Sequence, residues 1–166
     1  HCLSSAASDV YKRQLYDNAQ FILLLSKYCK TTSDLYYKDK LVQTIEFIKK
    51  NFLNKEGLLG SAYDADSDGV EGKYYVFTYD EIKDLEDIEN YFEIKPEGNW
   101  EKKIILVEKE KPNKEIIKKL LNIRSKRTKP FFDDKTQLDL NCLWISSLVA
   151  ASEILPEEGY LNSVSY

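Results

Sequence analysis

The chain has 166 residues, 43% of them hydrophobic, with 24 basic and 28 acidic side chains and a formal net charge of −4. That length suits one modest domain or part of a larger one, and the mild acidity argues against nucleic acid as the main partner. The longest apolar run, Phe21 to Leu25, is far too short to span a bilayer, so no membrane partner is expected.

Residues 4–14, Ser-Ser-Ala-Ala-Ser-Asp-Val-Tyr-Lys-Arg-Gln, match one reading frame of a common transposase-type library adapter. Residues 163–166 match the start of its inverted end in another frame. The expectation is therefore that 1–14 and 163–166 are adapter-derived and that 15–162 is a slice of a longer natural protein. Setting the ends aside removes the only histidine, His1, and one of the three cysteines, Cys2. The slice then has no Ser-His-Asp triad and no histidine metal ligand. Acid–base work in it falls to carboxylates, Lys, Tyr or Cys. Cys29 and Cys142 are isolated thiols without CxxC spacing, which points to a reducing, cytoplasmic setting.

From Leu15 to Lys30, apolar residues lie on nearly every face of a helix, with Leu15, Ala19, Ile22 and Cys29 in one stripe and Leu23, Leu24 and Leu25 widening it. A helix this apolar is usually buried among others. Thr31 to Asp34 supply breaker and N-cap chemistry. Tyr37, Leu41, Ile45, Ile48 and Phe52 then recur at helical spacing, completing an antiparallel helical hairpin. Gly57–Tyr63 and Lys73–Phe77 read as two strands of a β-hairpin around a long, turn-rich loop. Thr78 and Glu81 form a capping box, predicting a short helix through Ile82 and Leu85. Ile104–Val107 reads as a strand. Asn113 caps a helix carrying Ile116, Ile117, Leu120 and Leu121. A last helix starts near Asp139 and is expected to bury Leu140, Leu143, Leu148, Ala151 and Leu155. Helix pairs with a hairpin insertion suggest a mainly α chain, part of an α/α toroid with an inserted β-hairpin.

Four constellations carry possible chemistry. Asp64-Ala65-Asp66-Ser67-Asp68-Gly69 has the opening spacing of an EF-hand calcium loop, but the twelfth position is Tyr75 where a bidentate Glu is required. The same run also suits a polar turn, or a cavity mouth at which Asp64, Asp66 and Glu71 act as acid–base carboxylates. Asp133-Asp134-Lys135 is either charge placed to suit a helix dipole or one half of a carboxylate pair of the glycosidase kind. Arg124, Lys126, Arg127 and Lys129 suit a solvated helix end or an anion or substrate contact. Tyr16, Asp17, Asn18 and Gln20 place polar groups in an apolar helix and need partners there, either between helices or in a pocket.

Several of these segments, in order, resemble the YyaL-like thioredoxin-domain-containing proteins, which include the spermatogenesis-associated protein 20 group. They are Leu15 to Gln20, Ser61 to Phe77, Glu97-Gly98-Asn99-Trp100, and Arg124, Arg127, Pro130, Asp133-Asp134-Lys135 and Asn141. Where many members have Trp-Asn-Gly after the Asp-Asp-Lys, this chain has Leu140-Asn141-Cys142. The resemblance implies an upstream thioredoxin-like domain outside this chain, and an α/α toroid similar to six-hairpin sugar-processing enzymes. The expected site is catalytic Asp64, Asp66, Glu71, Asp133 and Asp134, with Tyr16, Asp17, Asn18, Gln20, Arg124, Arg127, Lys135 and Asn141 binding a carbohydrate. No metal or cofactor is expected. The alternative is a redox or chaperone-like protein whose toroid only docks partners.

Overall fold

A computed structural model of the chain describes residues 13–160. The elements are, in order, β1 (Arg13–Gln14), α1 (Leu15–Thr32), α2 (Leu35–Phe52), β2 (Ala62–Tyr63), β3 (Asp66–Ser67), β4 (Val70–Glu71), α3 (Tyr79–Ile82), α4 (Ile88–Tyr91), β5 (Phe92–Glu93), β6 (Val107–Glu108), α5 (Lys114–Ser125), β7 (Phe132–Asp133) and α6 (Leu138–Ser152). The described chain is mainly helical with small sheets. Among its residues no helix is long and apolar enough to cross a membrane. It divides into two compact units, one formed by residues 13–63 and 132–160, the other by Asp64–Phe131.

The first unit is built on helices. In it α1 is the middle helix, packed against both α2 and α6. The helical spacing of Leu15, Ile22 and Leu25 meets that of Leu41, Ile45, Ile48 and Phe52, and α6 adds Trp144, Leu148 and Ala151. Each of the leucine, isoleucine and phenylalanine side chains contributes about 1.5–3 kcal/mol on burial. Between α1 and α2, Ser33 takes the left-handed conformation and returns its N–H to Cys29 O, while the Asp34 side chain caps α2 by accepting from Tyr36 N. The buried serine hydroxyls of α1 and α6 are satisfied within their own helices, Ser26 donating to Ile22 O and Ser147 to Trp144 O.

α6 departs from expectation. Trp144 and Ser147 are buried, whereas Leu140 and Leu143 are only partly so, and Leu138, Ile145 and Val149 are exposed. Its apolar residues lie on almost every side, so periodicity could not select the inward face.

β2 pairs antiparallel with both β1 and β7, in the register Gln14↔Ala62↔Asp133 and Arg13↔Tyr63↔Phe132. Gly60, just before β2, is required by packing. A Cβ there would lie 2.5 Å from the Phe132 ring and 2.9 Å from Asp134 Cα.

The second unit holds a core of Phe77, Ile82, Ile88, Phe92, Ile104, Leu106, Ile116 and Leu120. Here the expected hairpin is corrected. Ala62–Tyr63 belongs to the β1–β2–β7 sheet, Lys73–Phe77 is mostly turn, and the true hairpin, β3–β4, lies inside the run expected to be loop. Asp68 and Gly69 both have positive φ, 53° and 70°, the condition for a two-residue type I′ turn that matches strand twist. The Thr78–Glu81 capping box forms, but α3 stops at Ile82 rather than running through Leu85. The strand expected over Ile104–Val107 divides, with Ile104 bridging Phe77 and Val107–Glu108 pairing with β5. Asn113 caps α5 by accepting from Ile116 N at 2.8 Å.

Candidate functional site

The hairpin sets two of the expected carboxylates opposite one another. Ser67 and Val70 flank its turn, Gly72 N donates to Ala65 O, and Asp66 and Glu71 are register partners between them. Directly opposed cross-strand side chains share a face with Cβ atoms about 5 Å apart, and like charges so placed destabilise the ribbon. Both residues are exposed. Asp64 is exposed too; its N–H donates to Phe131 O at 2.8 Å and its carboxylate accepts from Ala65 N.

The geometry at this hairpin is not that of the alternative calcium loop. Asp68 turns to Lys73, 2.8 Å away, and hydrogen bonds from Lys73 and then Thr128 hold its carboxyl below the usual range. Short strands, not helices, flank the turn. Among the described residues no group of three or more His, Cys, Asp or Glu is gathered to hold a metal ion.

Arg127, expected at a solvated helix end or in a substrate contact, is largely enclosed. Its side chain is 14% exposed. One guanidinium nitrogen donates to the carbonyls of Lys73, Tyr74 and Val76, and the other to Glu81 Oε1 at 2.8 Å. The guanidinium also sits 4.8 Å from the centre of the Phe77 ring. Arg124 lies over the Tyr74 ring at 5.6 Å. Burial pushes the Glu81 carboxyl up, but hydrogen bonds from the Thr78 N–H and hydroxyl and from Arg127, together with the Arg127 charge, hold it below the usual range.

The remaining expected residues are in the helical unit. Asp133 lies on β7, half-buried, with Lys135 Nζ 3.2 Å from its carboxylate. Asp134 is exposed. The backbone beneath them is fixed by residues the sequence did not single out. Ser61 N donates to Asp133 O, and the Ser61 hydroxyl donates to Lys135 O at 2.6 Å. The only sequence signal for this was the small pair Gly60-Ser61 after an aliphatic run.

Asn141 brackets Leu59, accepting from its N–H and donating to its carbonyl, and also donates to Gln137 O. Tyr16, Asp17, Asn18 and Gln20 occupy the first turns of α1, where Asn18 donates to Gln14 O at 2.7 Å. The structure thus groups Asp64, Asp66, Glu71, Arg124 and Arg127 in one unit. It groups Tyr16, Asp17, Asn18, Gln20, Asp133, Asp134, Lys135 and Asn141 in the other.

No protein-family model matches the chain. The chain is similar to spermatogenesis-associated protein 20 of Homo sapiens, 30% identical over 81 residues. That stretch covers 45% of this chain and 10% of the human protein, so the match spans about a tenth of that relative's length.

Proposed function

We propose that the chain is part of an α/α toroid that binds or processes a carbohydrate in a longer, thioredoxin-domain-containing parent. The observation that carries this reading is the Asp66–Glu71 pair. Two exposed carboxylates are set opposite each other across β3–β4, at an electrostatic cost to the ribbon. Carboxylates separated by roughly 5–10 Å are the working parts of glycoside chemistry. One, protonated, gives its proton to the leaving oxygen; the other, ionised, activates water or attacks the sugar carbon. Asp64, in the same unit as the hairpin, supplies a further acceptor for sugar hydroxyls; Asp133, Asp134, Lys135 and Tyr16 belong to the other unit and are candidate sugar contacts there. The Arg127 and Asn141 side chains are engaged with the chain's own backbone, so in this reading they support the site and do not touch the ligand.

The setting is cytoplasmic in this reading, in keeping with the free cysteines among the described residues, Cys29 buried and Cys142 exposed. Burial, and then the charge of Asp34, push the Cys29 thiol up, which keeps it protonated and unreactive.

The test is replacement of Asp64, Asp66 or Asp134 by Asn in the full-length parent, with turnover and glycan binding measured beside a thermal melt. Loss of turnover or binding in a folded protein is the expected result. Unchanged activity in all three variants removes these residues from the mechanism. A second reading, in which the toroid only docks partners for a redox or chaperone-like parent, is favoured by the exposed Leu138, Ile145 and Val149 on α6, an apolar stripe of the kind that marks an interaction face. In that case activity survives the acidic substitutions and vanishes with the upstream cysteines.

A further inference from the structure

We propose that Arg127 is a conformational latch for the acidic hairpin. Its guanidinium gathers the carbonyls of Lys73, Tyr74 and Val76, which form the base from which β3–β4 projects. The ribbon itself is two residues per strand, and a hairpin that short is at best marginally stable alone in water. The pair at its open end, Asp66 and Glu71, is like-charged and pushes the strands apart. The turn residues Asp68 and Gly69 fix its shape, but they do not fix where it stands.

Besides the Asp64 N–H on Phe131 O at its foot, that anchoring falls to two sets of contacts. One is the Ser67 hydroxyl on Thr128 O. The other is Arg127, whose planar fork spans several carbonyls that a lysine ammonium, a single point charge, would not span. Glu81 holds the fork from its far side at 2.8 Å, while its other oxygen accepts from Thr78 N at 2.7 Å and from the Thr78 hydroxyl. Ribbon base, capping box and helix end therefore close on one side chain. The inference concerns the order of the ribbon and stands whatever ligand the ribbon meets.

Hydrogen exchange read by mass spectrometry on the 166-residue chain tests it, with Arg127→Lys and Arg127→Gly beside the parent sequence. Both variants are expected to exchange the amides of Gly72, Tyr75 and Val76 roughly tenfold faster or more, while α1, α2 and α6 keep their protection, as sub-global opening requires. Millimolar guanidinium added to Arg127→Gly restores the protection. Full protection in Arg127→Lys shows that charge and not the fork holds the ribbon, and overturns the latch. So does an equal loss of protection in the helices, which makes Arg127 a general fold residue, or a failure of guanidinium to rescue.

Discussion

Replacing Gly60 by alanine isolates the packing that carries Asp133 and Asp134. The backbone at Gly60 needs no left-handed conformation, so the penalty is purely steric. The new Cβ would stand 2.5 Å from Phe132 Cζ, 2.9 Å from Asp134 Cα and 3.0 Å from Asp133 O. Phe132 has little room to turn, because it stacks on Tyr63 at 4.6 Å and meets Phe52 edge-on. The backbone atoms have less, since Asp133 O and Lys135 O each accept a hydrogen bond from Ser61.

Overpacking of this kind costs about 1–3 kcal/mol, and contact with immobile backbone places Gly60→Ala at about 2–3 kcal/mol. The melting midpoint of the helical unit then falls by about 6–12 °C, taking about 3–4 °C per kcal/mol for a chain of this size. Circular dichroism at 222 nm with a matched urea titration reads both quantities. Gly57→Ala is the control. Nothing lies within 4 Å of its Cβ, but φ is +81°, so only backbone strain of about 1 kcal/mol is added. A Gly60→Ala midpoint equal to or above that of Gly57→Ala refutes the steric argument, and with it the claim that Gly60 and Ser61 fix the backbone under the two carboxylates.

Glu81 and Tyr160 give two further predictions. Because the folded Glu81 carboxyl is held below its unfolded value, its stabilisation is fully present above the unfolded pKa of about 4.3 and is lost as pH falls through the folded value. Glu81→Gln should therefore be less stable than the parent at pH 7, and the gap in urea midpoint should shrink as the pH drops below about 4. A gap that stays constant with pH excludes the ionic contact. Tyr160 is 2% exposed, and its hydroxyl has no hydrogen-bond partner among the described residues. Burial and then the negative charges of Glu158, Glu46 and Glu157 push its pKa up to about 12. Tyr160→Phe removes a buried, unsatisfied group and should leave stability unchanged or raise it by up to about 1 kcal/mol; a clear loss in the same melt shows that the hydroxyl does have a partner.

What could be read from the sequence was whatever is decided locally. The helix break and N-cap between α1 and α2, the Thr78–Glu81 box and the Asn113 cap depend on residues within four positions of one another, and all three formed. The core stripe of α2 was legible because its opposite face is charged. That of α6 was legible only in part: Leu148 and Ala151 are buried as expected, but Leu140 and Leu143 are half-buried and Trp144 is buried instead, because a helix apolar on every side does not say which side faces its neighbour.

The hairpin failed for a related reason. The aromatic and aliphatic residues of Gly57–Tyr63 and Lys73–Phe77 outweighed the Asp68-Gly69 dipeptide, although that pair states the turn type more directly than any neighbour does. Moving the strands inward by a few residues is not a detail of boundaries. It converts Asp66 and Glu71 from loop residues into register partners, and a shift of one residue in that register would send the two carboxylates to opposite faces.

Arg127 is the strongest case of what local reading cannot supply. In sequence it is one of four basic residues at a helix end, and nothing in the local pattern sets it apart from Arg124. Its acceptors lie 46–54 positions away, and three of the four are backbone carbonyls, which leave no mark on the sequence around Arg127. The residues most readily assigned to a ligand from composition alone, arginines and asparagines near acidic clusters, are also those best equipped to bind backbone. Asn141 on Leu59 makes the same point as Arg127. The carboxylates are different. An ionised aspartate or glutamate only accepts and so cannot gather backbone carbonyls as Arg127 does, and exposed acids such as Asp66 and Glu71 are more informative about an outside partner than the basic residues that hold the ribbon up.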